Sequence, residues 1–93
     1  KKPLEWDELN KYDVVIINPP RAGAKVQAKL LATSTVRTII YLSCNPESFA
    51  QDTTIITRNK RYELEEVTPI DQFQWSSHIE LLGVFRLELY NLN

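Results

Sequence analysis

The sequence is poor in the residues that build disulfides, metal sites and flexible turns. Its 93 residues include one Cys, one His, two Gly and no Met. One Cys cannot form an internal disulfide, and one Cys with one His cannot complete a tetrahedral zinc site. A lone thiol is typical of a reducing compartment, so we expect a cytoplasmic protein that holds no metal.

Long apolar runs and an excess of charge of one sign are also absent. The apolar runs fall far short of the roughly 20 residues that cross a bilayer, which predicts no membrane span. The 11 Lys and Arg and 12 Asp and Glu residues give a net charge of −1. Because self-sufficient nucleic-acid-binding domains are usually basic, a nucleic-acid role would need basic surface from elsewhere in the protein.

The absence of Met, with Lys1 in first position, predicts that the chain is a piece of a longer protein. The residues that are present suit a folded domain, since 43% are apolar and 25% are charged. A chain of this length forms one small domain with a thin core. We therefore treat residues 1–93 as part of one domain of unknown oligomeric state.

Apolar runs and turn residues predict the α/β element order β-α-β-α-β-β. We expect strands at Asp13–Ile17, Thr38–Leu42, Tyr62–Thr68 and Ile79–Tyr90, and helices at Ala24–Thr33 and from Pro46 to about Lys60. Continuous apolar residues in the first two strands predict a parallel sheet that is covered on both faces. The last two strands are joined by a loop alone, so we expect them to pair antiparallel.

The two predicted helices each have an apolar face. The residues expected on these faces are Val26, Leu30, Leu31, Phe49, Thr53 and Ile56. Asn45 suits the N-cap of the second helix, and Pro46 suits its first position.

Residues able to do chemistry follow the first two strands. These segments are Asn18-Pro19-Pro20-Arg21 and Ser43-Cys44-Asn45-Pro46. In open α/β sheets, ligands bind beyond the carboxyl ends of the strands, so neighbouring strands would open both loops onto one crevice. Cys44 is a candidate nucleophile because the start of a helix favours an anion. Local sequence alone favours a buried strand-end Cys, and Asn18 fits an ordinary turn equally well.

The last strand begins with a second group of polar residues. His78 and Glu80 share a face because side chains alternate along a strand. Glu80, beside an apolar crevice, is a candidate proton acceptor. From these residues alone, a solvent-facing acid at a strand end is the favoured interpretation of Glu80.

Taken together, the polar segments resemble the RNA uracil-C5 methyltransferases. The resemblance is carried by Asn18–Ala24, Tyr41–Pro46, Asp71–Phe73 and His78–Glu80, in that order and spacing. It covers about residues 11–89 and matches the C-terminal half of the family's catalytic domain. It implies a Rossmann-like class I methyltransferase sheet, S-adenosylmethionine as cofactor, and transfer or ribosomal RNA as substrate.

The resemblance also implies a role for each site residue. Cys44 would add to C6 of uracil, and Glu80 would later accept the proton from C5. Asn18 is expected at the cofactor site, and Arg21 and His78 are expected near the substrate. The glycine-rich turn and the acid that binds ribose lie upstream in such folds, so we expect these 93 residues alone to be inactive.

The sequence departs from the family pattern at two places, and two alternatives stay open. Asn18 stands where the family usually has Asp, which keeps the hydrogen-bonding shape but removes the charge. Gln74 and Ser76 replace a Pro and a Thr of the family's loop. One alternative is an amino-group methyltransferase, although Arg21 then stands in place of an aromatic residue. The other is a degenerate domain that binds RNA or a partner without catalysis, which Asn18 favours.

Overall fold

Four strands and two helices make up the part of the chain that the computed structural model describes, residues 13–70 and 80–88. They are β1 (Val14–Ile17), α1 (Lys25–Ala32), β2 (Thr38–Ser43), α2 (Pro46–Thr57), β3 (Tyr62–Ile70) and β4 (Glu80–Leu87). The element order confirms the predicted β-α-β-α-β-β arrangement.

The strands form one sheet in the order β1-β2-β4-β3. β1 and β2 are parallel, as the helix between them requires. β4 lies between β2 and β3 and is antiparallel to both, which confirms the predicted pairing of the last two strands. Because β1 and β2 are neighbours, the loops that follow them leave the sheet at the same edge.

The core between the helices and the sheet is centred on Phe49 of α2. The Phe49 ring meets the Tyr41 ring edge-on at a centroid distance of 5.3 Å, and the Phe85 ring at 6.4 Å. Gly83 of β4 lies against this ring, because a Cβ at Gly83 would come within 2.7 Å of two Phe49 ring carbons. The close approach of the ring to the strand therefore requires glycine at position 83.

A buried pair of hydroxyl groups joins the loop after α1 to β3. The Tyr62 hydroxyl donates to the Val36 carbonyl at 2.6 Å and lies 2.8 Å from the Ser34 hydroxyl. Ser34 in turn donates to the Leu31 carbonyl at 2.8 Å. Burial raises the pKa of Tyr62, so its hydroxyl stays protonated at neutral pH.

The predicted start of α2 is confirmed, and its buried face differs from the prediction at three positions. Asn45 is the N-cap and Pro46 is the first helical residue. The buried side chains of α2 are Ser48, Phe49, Asp52 and Ile56. Thr53, which was expected in the core, is only half-buried, and Asp52 lies in the core beside it.

Two other predicted surfaces are wrong. β1 is not covered on both faces, since Val14 is 50% and Ile16 is 64% exposed. Both helices pack on the face that carries Ile17, whereas Val14 and Ile16 lie on the opposite, largely exposed face. Val26 of α1 is also exposed, because this helix buries Ala28, Leu31 and Ala32 instead. Val26 lies outside the face that carries these residues and therefore points towards solvent.

We predict that Gly83→Ala lowers the free energy of unfolding by about 1–3 kcal/mol, because the new methyl group displaces the Phe49 ring. Urea denaturation of the purified protein measures the loss. Phe49→Leu makes room for the methyl group, so this second change should cost less in the Gly83→Ala background than in the wild type. Simple additivity of the two losses would contradict the packing described for Gly83.

We predict that Tyr62→Phe lowers the free energy of unfolding by about 1–3 kcal/mol at pH 7, because it leaves the buried Val36 carbonyl without its donor. The raised pKa adds a pH dependence. In the wild type, the stabilisation by the protonated Tyr62 hydroxyl is complete below the ordinary tyrosine pKa of about 10. It is lost as the pH rises from there through the raised pKa of Tyr62 in the folded protein. The free energy of unfolding, measured by urea denaturation from pH 7 to 11, should fall less steeply with pH for Tyr62→Phe than for the wild type. Equal slopes for the two proteins would contradict the assignment.

Candidate active site

The candidate site lies at the edge of the sheet where β1 and β2 end. Ile17 and Tyr41 are partners in the parallel register, so the residues after both strands emerge side by side. Asn18 follows β1 directly and is exposed, as is Arg21. Cys44 follows β2 directly and is a half-buried free thiol. The fold therefore brings the two sequence-predicted loops to one place.

β4 brings Glu80 to the same edge. Ser43 of β2 is paired with Leu81 of β4 in an antiparallel register. Cys44 comes one residue after Ser43, and Glu80 one residue before Leu81, so the same register makes them neighbours across the two strands. Glu80 is half-buried and also pairs with Ile70 of β3. The candidate nucleophile thus lies just beyond the end of β2, beside the candidate proton acceptor at the start of β4.

The turn that carries Cys44 is fixed by hydrogen bonds on both sides of it. The Ser43 hydroxyl donates to the Asn45 carbonyl at 2.9 Å and accepts from the Asn45 N–H at 3.1 Å. The Asn45 side-chain oxygen accepts from the Glu47 N–H at 3.0 Å, which caps α2. Cys44 therefore lies immediately before a helix start, where backbone N–H groups favour an anion.

The carbonyl of Arg21 ties the loop after β1 to this turn. It accepts from the Asn45 side-chain N–H at 3.0 Å and from the Ser48 hydroxyl at 2.9 Å. The Gly23 N–H donates to the Pro20 carbonyl at 2.8 Å and closes a turn within the loop. Because these bonds use the Arg21 backbone, they do not engage its exposed guanidinium group.

A buried carboxylate, Asp52, holds the far end of the same loop. Its Oδ2 accepts from the Ala24 N–H at 2.7 Å and from the Tyr41 hydroxyl. Burial, together with the hydrogen bond to Asp52, raises the pKa of Tyr41 far above the ordinary tyrosine value. The Tyr41 hydroxyl is therefore a permanent donor at any working pH.

Sequence reasoning missed both Asp52 and Ser48. A signal for Asp52 was present, because it lies three residues after Phe49 and four before Ile56, on the apolar face of the helix. A charged residue on such a face needs a partner in the core. Ser48 offered no comparable signal, since serine is common in the first turns of helices.

Three residues that carry the predicted motifs, His78, Asp71 and Phe73, lie outside the described residues. Within residues 13–70 and 80–88, no group of three His, Cys, Asp or Glu side chains could hold a metal ion. None of the helices in these ranges is long and apolar enough to cross a membrane.

Asn18 is the residue that the sequence predicts at the cofactor site, and its side chain is exposed at this edge. Its exposed amide offers one acceptor and two donors just beyond the end of β1. The two glycines of the chain serve other purposes, since Gly83 packs on Phe49 and Gly23 shapes the loop with a φ of 90°. The described residues therefore contain no glycine-rich turn.

The sequence has well-defined relatives. A model of the tRNA (uracil-5-)-methyltransferase family matches residues 4–88. An uncharacterized RNA methyltransferase of Agrobacterium fabrum is 50% identical over 84 residues, which are 90% of this chain and 20% of that protein. Another from Caulobacter vibrioides is 48% identical over 85 residues, which are 91% of this chain and 20% of that protein.

A solved structure shares the fold. It is the crystal structure of Pyrococcus abyssi tRNA (uracil-54, C5)-methyltransferase in complex with S-adenosyl-L-homocysteine. The TM-score is 0.66 at 36% identity, over 78% of this chain and 18% of that one. The sheet is therefore an α/β methyltransferase fold, as predicted. The chain belongs to the tRNA (uracil-5-)-methyltransferase family. It spans about a fifth of the length of the curated relatives it matches.

Proposed function

We propose that the protein containing this chain methylates C5 of uridine in transfer or ribosomal RNA, with S-adenosylmethionine as methyl donor. The observation that carries the proposal is the shared edge of β1, β2 and β4, which brings together Asn18, Cys44 and Glu80. Family membership supports the choice of RNA and of uracil as substrate. The cofactor is supported by the S-adenosyl-L-homocysteine in the Pyrococcus abyssi structure.

Cys44 would activate the base. C5 of uracil is a weak nucleophile, and addition of the Cys44 thiolate to C6 forms a C–S bond and turns C5 into an enolate carbon. The position of Cys44 supports this role, since it lies immediately before the N-cap Asn45 and is half-buried rather than enclosed in the core. The target base would have to leave its stack to reach the thiol.

The residues that follow β1 fit one side of a site for S-adenosylmethionine. The cofactor carries charged and polar groups, and the Asn18 amide can both donate to and accept from them. When bound, the cofactor supplies an electrophilic methyl group. Asn18 lacks the negative charge of the Asp that is usual in the family, so it would bind by hydrogen bonds alone. The rest of the cofactor site would come from the remainder of the longer protein.

Glu80 would complete the reaction. Once C5 carries the new methyl group, it still holds its original proton. Glu80 accepts that proton, the electrons of the C–H bond restore the C5–C6 double bond, and the C–S electrons return to Cys44. The register that makes Cys44 and Glu80 neighbours supports this division of roles.

We predict that Cys44→Ala in the full-length protein lowers methylation of uridine-containing RNA by about a thousandfold or more, because the base is no longer activated. With 5-fluorouridine RNA and cofactor, the wild type should form a stable adduct through Cys44, since fluorine cannot leave as a proton. Denaturing gels and mass spectrometry detect this adduct, which Cys44→Ala should not form.

Thr54→Ala is the matched control for Cys44→Ala, because Thr54 lies on the exposed side of α2. Methylation that persists in Cys44→Ala without an adduct would indicate transfer to an amino group instead. A wild-type protein that binds RNA but neither methylates it nor forms the adduct would indicate a non-catalytic domain.

We predict that Glu80→Gln slows turnover by about 10²–10⁴-fold, because an amide cannot accept the C5 proton. Since Cys44 addition and methylation come earlier, a methylated adduct with ordinary uridine RNA should accumulate. Mass spectrometry of the trapped species checks its composition. Glu66→Gln, at an exposed position of β3, is the control. Wild-type turnover in Glu80→Gln, with no trapped species, would contradict the assignment.

A further inference from the structure

We propose that Asp52 is a positioning residue that sets the placement of the Asn18–Ala24 loop relative to the turn carrying Cys44. The inference rests on the proposed function, because it assigns a role within that reaction. Asp52 lies in the middle of α2, six residues beyond the Pro46 that begins the helix, and is 1% exposed. It would act through the backbone and the side chain that it binds, not on the substrate.

One oxygen of Asp52 joins three elements. Oδ2 accepts from the Ala24 N–H, at the end of the loop after β1, at 2.7 Å. The same Oδ2 accepts from the hydroxyl of Tyr41, which lies on β2 three residues before Cys44. Because Asp52 itself belongs to α2, a shift of any of these elements relative to the others breaks at least one of the two bonds.

The environment makes both bonds strong. Hydrogen bonds to a carboxylate are about twice as strong as neutral ones, and a water-poor core strengthens them further. Ala24 is the N-cap position of α1 and has no side-chain oxygen with which to cap that helix. The junction between the loop and α1 is therefore held by a hydrogen bond to a residue of another helix.

The loop is shaped to approach the carboxylate. Gly23 has a φ of 90°, and a Cβ at this position would lie 3.0 Å from Asp52 Oδ2 and 3.0 Å from Ser48 Cβ. Three residues of the α2 segment thus hold the loop at two points, with Asn45 and Ser48 on the Arg21 carbonyl and Asp52 on the Ala24 N–H.

This arrangement bears on the reaction because Asn18 and Arg21 lie on the loop and Cys44 lies on the turn. Bond formation requires reacting atoms to meet at about 3–3.5 Å, and a misplacement of about 1 Å can cost about a hundredfold in rate. Loss of the Asp52 bonds should therefore lower the rate of base activation in protein that remains folded.

The test compares two buried tyrosines in the full-length protein. Tyr41→Phe removes one donor to Asp52 and keeps the ring in the core, while Tyr62→Phe removes a buried hydroxyl from the network around Ser34. The rate of adduct formation with 5-fluorouridine RNA and the kcat and KM of methylation are measured well below both melting temperatures. We expect Tyr41→Phe to lower kcat and the adduct rate about tenfold or more. Tyr62→Phe should change them less than about twofold, whatever its loss of thermal stability.

Substitutions of Asp52 itself provide a second measurement. Asp52→Asn keeps an acceptor oxygen of the same shape, so it should retain more activity than Asp52→Ala, and both should lose kcat more than KM for RNA. If Asp52→Ala does not fold, Tyr41→Phe and Asp52→Asn decide the matter. Equal kcat values for Tyr41→Phe, Asp52→Asn and Tyr62→Phe, beside an active wild type, would overturn the positioning role alone. A wild type without methylation or adduct would overturn the proposed function and this role together.

Discussion

The described fold depends on one buried carboxylate oxygen. Asp52 Oδ2 receives a backbone N–H from the loop after β1 and a hydroxyl from β2, while its own backbone belongs to α2. Burying a charge is costly unless hydrogen bonds compensate for the lost water. The two donors provide that compensation, and the raised pKa of Tyr41 keeps its proton in place. Asp52 therefore links the core with the loops at the edge through two hydrogen bonds.

α2 connects the packing of the core with the chemistry at the edge of the sheet. Its first turns carry Asn45 and Ser48, which bind the Arg21 carbonyl, and its inner face carries Phe49, which packs against the glycine of β4. A displacement of Phe49 would be transmitted along a rigid helix to the residues beside Cys44. Stability and the geometry of the candidate site are thus properties of the same element.

Sequence reasoning succeeded where a structural feature depends on residues that are close together in the sequence. Apolar runs, prolines and the Asn45 cap predict the element order and the start of α2, and motif residues predict the loops of the site. It failed where the partner is distant along the chain. The exposure of Val26 depends on which face of α1 packs against the core. The second role of Asn45, as donor to the Arg21 carbonyl, depends on a loop 24 residues away. The burial of Asp52 depends likewise on Ala24.

The order of strands in the sheet has a consequence for the sequence of events during synthesis. β3 leaves the ribosome before β4, yet in the described residues β4 is the strand that pairs with β3 and separates it from β2. β1, β2 and the helix between them can associate early, because parallel pairing needs only their crossover. β3 must wait with its backbone groups solvated until β4 emerges and inserts. Since Glu80 is the first residue of β4, the step that completes the described sheet also brings the candidate proton acceptor next to Cys44.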